Sequence, residues 1–251
     1  MVIGSGAPEI TAETPVQPQT MYRDSPRLRV THVLLDVDGT LVDSDAAAQA
    51  ARQAAASRCA ALTHAEVSAL DVVRLRQTVL NDPLWRGVAG SAIRRETVRR
   101  LLAEHEVADE DALRDVLASF IEARDCALTT FPDVRACLIE LRARGITLIA
   151  ASNGDVDLER VGLAKFITDT HYAHEVGVAK PDPRFFTLAL SRFDIPSHAA
   201  LAVGDRVDND YDPARAAGLH SMVIDRAGAV VDPSVARITA LTELPALVEC
   251  L

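Results

Sequence analysis

Apolar and polar positions along this chain follow two periods, and the change between them separates its regions. The first clear signal is Val33-Leu34-Leu35-Asp36-Val37-Asp38-Gly39-Thr40-Leu41-Val42, a run of strand formers broken by two carboxylates at i, i+2 and a Gly-Thr turn. A continuous apolar run predicts a strand buried in a parallel sheet, and ligands of open α/β sheets gather at the carboxyl ends of such strands. Helical spacing follows. Residues 46–62 are alanine-rich and lack Gly and Pro, which predicts helix. Thr63, with Glu66 three residues later, has the form of a capping box for a second helix ending near Leu80, before Asn81-Asp82-Pro83. A third helix is expected over about 88–106, with Ile93, Thr97, Val98, Leu101 and Leu102 on one stripe, and a fourth over 109–128. Nothing in this block reads as a strand.

From Phe131 strands and helices alternate. Residues 133–144 read as a helix closed by Gly145, and 146–151 as a strand ending at Ser152-Asn153-Gly154-Asp155. A short helix over 156–161, an extended stretch near 168–171 and a helix over 182–193 opened by Pro183 come next. A strand over 199–203 ends at Gly204-Asp205. Then come a short helix over 212–218 with Asp212 as its cap, a strand over 221–224 and a helix over 241–250. The alternation predicts an α/β fold, a doubly wound parallel sheet interrupted by an all-helical insertion. The expected boundaries are a disordered leader over 1–29, a core over 30–44 and 130–251, and the insertion over 45–129.

Composition narrows the function classes. The net charge of −10 argues against a nucleic-acid-binding surface and means that an anionic substrate needs positive charge gathered locally or supplied by a metal. No apolar run approaches the roughly 20 residues of a membrane span. Residues 1–29 lack the basic start and apolar stretch of a secretory signal, so a cytoplasmic location is expected, with Met21 a possible alternative start. Cys59, Cys126, Cys137 and Cys250 show no paired spacing and are expected to be reduced and mostly to serve packing.

Four groups fall at predicted strand ends or just beyond: Asp36 with Asp38, Ser152 with Asn153, Lys180, and Asp205 with Asp210. Taken singly they are ordinary turn residues, a solvated lysine and an acidic loop. Two acids at a sheet mouth also suit metal-assisted chemistry with one carboxylate as nucleophile and the other as proton donor. In this order the groups resemble the four motifs of the haloacid dehalogenase-like superfamily. These are Asp36-Val37-Asp38-Gly39-Thr40, Ser152-Asn153, Lys180 within Val178-Ala179-Lys180-Pro181-Asp182-Pro183, and Gly204-Asp205-Arg206-Val207-Asp208-Asn209-Asp210.

The resemblance covers residues 31–225 and implies a Rossmann-like core with a helical cap, dependence on Mg2+ and phosphoryl chemistry on a small phosphorylated metabolite. On this reading Asp36 is the nucleophile and Asp38 the acid and base. Ser152, Asn153 and Lys180 hold phosphoryl oxygens. Asp36, the Asp38 backbone carbonyl, Asp205 and, less directly, Asp210 hold the metal. Asp208 and Asp212 are assigned to surface charge and helix capping, Trp85 to packing, and Arg94, Arg95, Arg99 and Arg100 to a solvated face. A halide leaves without a proton, so Asp38 favours a phosphatase over a dehalogenase. A phosphomutase is the other alternative on the same core, and a non-catalytic receiver-like module fits less well because receivers are about half this length.

Overall fold

The computed structural model describes residues 27–251. Met21 and most of the expected leader lie outside them. The fold is α/β and is built around strand β2 (His32–Leu35), whose four residues pair on both sides with parallel neighbours. One neighbour is β5 (Thr147–Ser152), followed outward by β6 (Asp169–Tyr172). The other is β7 (Ala200–Gly204), followed by β8 (His220–Ile224) and β9 (Arg237–Ile238). The order β6-β5-β2-β7-β8-β9 therefore reverses direction at β2, the place where open sheets leave a crevice. Register decides what meets there. Leu35 lies opposite Ala150 of β5 and Val203 of β7, so the residues just beyond these three strands emerge side by side.

Period-two geometry divides the strand side chains between two buried layers. Val33, Leu35, Leu148, Ala150, Leu201 and Val203 join helix α5 (Val134–Ala143) on one face through Cys137, Leu138 and Leu141. Leu34, Ile149, Ala151, Ala200 and Ala202 meet helix α7 (Arg184–Arg192) on the other, where Phe185 and Phe186 fill the layer. Short helices α6 (Ala173–Val176) and α8 (Asp212–Ala216) contribute Ala173 and Ala214 to that second layer. Among the described residues, no helix is long and apolar enough to cross a membrane.

Four helices stand between the first and second core strands in sequence: α1 (Asp45–Thr63), α2 (Ala69–Asn81), α3 (Gly90–Ala103) and α4 (Glu110–Ala127). They share their own apolar cluster. Ala55, Ala56 and Cys59 of α1 pack with Leu101 and Leu102 of α3 and with Leu113 and Val116 of α4. The small side chains of α1 leave room for this close packing. The chain enters and leaves the bundle through a two-strand ribbon, β3 (Val42–Asp43) against β4 (Thr129–Thr130), antiparallel with Val42 opposite Thr130.

Local expectations differ from the structure in several places. Helix α1 runs through Thr63, whose hydroxyl bonds back to the Cys59 carbonyl (2.9 Å), so Thr63 caps nothing; the capping box of α2 is Ser68 with Asp71. Residues 156–161 form turns rather than a helix. The Asp157 carboxylate takes the Glu159 N–H (2.9 Å), and Gly162 at φ +65° brings Leu163 N–H back to the Leu158 carbonyl (2.8 Å). Asp212 does not cap α8. The chain enters that helix from a π turn over Val207–Tyr211, and the Asp212 N–H is already taken by the Val207 carbonyl. Leu28 and Arg29, expected in the leader, join Val30 in strand β1 (Leu28–Val30). Helix α9 (Leu244–Leu247) stops early because Val248–Cys250 becomes β10, the parallel partner of β1. Cys59 and Cys137 are buried, but Cys126 and Cys250 are exposed, so packing accounts for only two of the four thiols.

One ion pair ties the C-terminal segment to the core. Asp133 takes two hydrogen bonds from Arg226 (2.8 and 3.0 Å) and one from the Leu241 N–H (2.7 Å), while the Arg226 guanidinium lies 3.9 Å from the centre of the Phe131 ring. Asp133→Ala leaves Arg226 and the Leu241 N–H without that acceptor. It is expected to cost about 2–4 kcal/mol, read as a fall in the urea midpoint at unchanged slope.

Candidate active site

The site is assembled from the ends of β2, β5 and β7. Asp36 follows β2 directly, and its N–H bonds to the Val203 carbonyl (2.9 Å), which holds the start of the loop against β7. The chain then turns sharply: Leu41 and Val42 N–H groups both return to the Val37 carbonyl (2.9 and 3.0 Å), and Gly39 N–H reaches Val42 O (2.9 Å). Gly39 sits at φ +79°, and a Cβ there would run into the Asp205 carboxylate. Glycine is thus required twice, by the backbone conformation and by the space.

From β5 come Ser152, buried at the strand end, and Asn153. The Ser152 hydroxyl accepts the Gly154 N–H (2.9 Å). Asn153 clamps the backbone of Lys180: its Nδ2 donates to the Lys180 carbonyl (2.7 Å) and its Oδ1 accepts the Lys180 N–H (2.8 Å). This sets the direction of the lysine. Buried Lys180 donates from Nζ to Asp36 Oδ1 (2.7 Å), Asp210 Oδ1 (2.5 Å) and the Ala151 carbonyl (3.1 Å). Asp205 follows β7, and Asp210 is returned to it by the π turn, with Arg206 N–H on Asp210 Oδ2 (3.2 Å). A Cβ on Gly204 would collide with the Asp210 side chain.

Five of the seven sequence-predicted residues therefore converge directly: Asp36, Lys180 and Asp210 by hydrogen bonds, Asn153 through the Lys180 backbone, and Asp205 through the acidic cluster. Asp36, Asp205 and Asp210 each present an oxygen within 4.8 Å of the others. The Asp38 side chain leaves this cluster. It lies against Gly154, where a Cβ would meet it, and feels the charges of Arg124, Asp155, Lys180 and Arg94. Ser152, through Gly154, lies on that same side.

Charge is unevenly compensated. Burial pushes the Asp36 carboxyl up to about 8, against the pull of Lys180 and with Asp210 and Asp38 adding to the rise. Burial would favour a neutral Lys180 amine, but Asp36 and Asp210 overcome it and hold the group above its ordinary value. Burial and then Asp210 raise Asp205 to about 6, and burial also raises Asp38. One buried cation thus faces three close carboxylates, and that of Asp205 takes no hydrogen bond from another described side chain. Hard oxygen donors with surplus negative charge fit a magnesium-type cation.

The site opens into a cavity of about 970 Å3 roofed by the helical bundle. Bundle and core touch directly: Gly90 N–H bonds to the Asn153 carbonyl (3.2 Å), and Asp155 pairs with both Arg94 of α3 and Arg124 of α4. Arg94 thus departs from the solvated face assigned to it, whereas Arg95 pairs with Glu110, and Arg99 and Arg100 pair with Glu96. Glu96 is held down at about 2 chiefly by the Arg99 hydrogen bond. Trp85 is half-buried and lines the cavity wall. Sequence reasoning missed Arg52, Arg76, Arg124 and Asp155 as lining residues. A signal existed for two of them: Arg52 lies four positions before Ala56, and Arg76 four after Val72 and three before Val79, charges set on apolar stripes.

Residues 30–218 match the family described as haloacid dehalogenase-like hydrolase. The chain is 36% identical over 154 residues to a phosphoserine phosphatase of Thermus thermophilus, a match covering 59% of each protein. It is 30% identical over 203 residues to a glyceraldehyde 3-phosphate phosphatase of Methanopyrus kandleri, covering 77% of this chain and 83% of that one. Among solved structures, a 2-haloacid dehalogenase from Pseudomonas syringae superposes with a TM-score of 0.75 at 27% identity, over 87% of this chain and 97% of that one.

Proposed function

Because the chain belongs to the haloacid dehalogenase-like hydrolase family, we propose that it is a magnesium-dependent phosphatase of small phosphate monoesters that works through an aspartyl-phosphate. The observation that carries this reading is Lys180 Nζ, buried and bonded to Asp36 and Asp210, with Asp38 two residues from Asp36 but facing away from the acidic cluster.

In the first step an Asp36 oxygen attacks phosphorus and the ester P–O bond breaks. The departing alkoxide takes the proton of Asp38. In the second, Asp38, now ionised, accepts a proton from water as that water attacks phosphorus. Phosphate leaves and Asp36 is regenerated. Lys180 offsets charge and fixes the direction of Asp36, while Ser152 and the Asn153 backbone N–H bind phosphoryl oxygens. Asp36, Asp205 and Asp210, with the Asp38 backbone carbonyl, would hold the cation. When bound, it supplies the positive charge that lets a carboxylate approach a phosphate dianion. The helices over 45–129 act as the cap that covers the site and selects the leaving group.

Similarity to the Pseudomonas dehalogenase raises a second reading, carbon–halogen hydrolysis. Displacement of halide requires no proton donor, and the raised proton affinity of Asp38 suits an acid. Phosphate release from a panel of phosphorylated metabolites and one aryl phosphate, with magnesium and with chelator, separates the readings. Magnesium-dependent release is expected, with no chloride freed from 2-chloropropionate. Chelator-resistant chloride release without phosphate release would overturn the phosphatase.

A further inference from the structure

The bundle side of the cavity carries positive charge that the protein does not use. Lys180, Arg94, Arg124, Arg206 and Arg226 all line the cavity, and each has a carboxylate partner. Arg52 of α1 and Arg76 of α2 line it too. Among the described residues, neither side chain takes part in a hydrogen bond or ion pair, as is also true of the exposed Arg86 at the cavity's edge. Asp43 and Asp45 line the same cavity but lie beyond ion-pair distance of either arginine.

Both guanidinium-bearing side chains line one cavity, and the charge of Arg52 acts against that of Arg76. Arg76 is driven below its ordinary value, first by burial within the cavity walls and then by the charges of Arg94 and Arg52, with Asp38 pulling the other way. Arg76 is exposed along the open cavity that it lines. Placing like charges side by side with no partner is unfavourable, and the sequence had acids available elsewhere in a chain of net charge −10. Such an arrangement becomes favourable when an anion enters between them. Guanidiniums hold a carboxylate or phosphate through paired N–H donors.

On the core side Lys180, and the cation that Asp36, Asp205 and Asp210 would hold, serve the phosphoryl group of a substrate, so these arginines are not needed there. They stand instead on α1 and α2, in the bundle that roofs the cavity, and Asp38, the group that protonates the leaving group, lines the same cavity.

We propose that Arg52 and Arg76 form a subsite for a second anionic group on the leaving-group side of the substrate, so that the enzyme selects phosphomonoesters bearing a carboxylate or a further phosphate. This rests on the phosphatase reading, but it can be tested without turnover.

The probes are alkylphosphonates, which cannot be hydrolysed, titrated by calorimetry in excess magnesium. One series ends in methyl, one in carboxylate and one in a second phosphonate, each with spacers of one to four carbons. At least one anionic probe is expected to bind the wild type roughly 10–100-fold more tightly than its methyl counterpart. In the Arg52→Gln/Arg76→Gln double variant that ratio is expected to fall to about one, with each single variant between. A carboxylate advantage without a phosphonate one, or the reverse, identifies which anion the pair takes.

Equal binding of all three series to the wild type would overturn the subsite. So would a ratio that survives in the double variant. If instead the ratio behaves as expected but aryl phosphate is never hydrolysed, the subsite stands and the phosphatase reading fails. The Gln side chains keep the polarity and most of the volume of partnerless residues, and an unchanged melting temperature checks that the variant is folded.

Discussion

Asp36→Asn is expected to lower kcat/KM for every phosphate monoester by at least about 10^4-fold, the scale of losing a covalent nucleophile. The amide is nearly isosteric with the carboxylate and still offers an oxygen to Lys180 Nζ, which keeps Asp210 and the Ala151 carbonyl as partners. The fold should therefore survive. In chelator near neutral pH the variant should even gain stability, because an amide folds without having to take up a proton or bury a charge. The pH dependence gives the sign. Asp36 is raised to about 8 in the folded protein, so between its unfolded value near 4 and about 8 the folded state holds the extra proton. Stability of the metal-free wild type must then fall as pH rises through that window, and Asp36→Asn should flatten the slope. Turnover within tenfold of wild type would remove Asp36 as nucleophile. A steeper slope in the variant would contradict the charge arrangement.

The second large effect is selective. Asp38→Asn should reduce kcat on alkyl phosphates by about 10^2–10^4-fold, the usual contribution of a positioned proton donor, and on an aryl phosphate by roughly tenfold or less. The difference arises because an aryl oxide leaves without help, whereas an alkoxide does not. Geometry supports this assignment, since the Asp38 carboxyl stands apart from Asp36, Asp205 and Asp210 and lies beside Gly154 under the bundle arginines. A plot of rate against leaving-group pKa should be steeper in the variant than in the wild type. Parallel plots displaced by a constant factor would show that Asp38 only shapes the loop and transfers no proton.

Much of this was open to sequence reasoning because it is local. The apolar run before Asp36, the Gly after Asp38 and the Gly204-Asp205 pair each declare a strand end by composition. Parallel pairing then brings such ends together without further information. The helical block declared itself in the same way, through stripes such as Ile93, Thr97, Val98 and Leu101. Misreadings fell where a competing local partner or a distant one decided the outcome. Thr63 satisfied its own helix rather than capping the next. Residues 248–250 became strand because Leu28–Val30 lay beside them, a contact across most of the chain that no periodicity reports.

Side-chain roles divide along the same line. The sequence by itself determined which acids and amide stand at strand ends, because chain direction and hydrophobic period fix where a strand stops, and it placed the lysine in a loop before a helix. The tertiary structure alone decided which of them touch. It turned Asn153 onto the Lys180 backbone, sent Asp38 away from the acidic cluster, drew Asp155 into a bridge with Arg94 and Arg124, and left Arg52 and Arg76 facing the cavity with no partner. Those outcomes depend on distances between elements far apart in sequence, and electrostatic energies follow distance and burial rather than chain order.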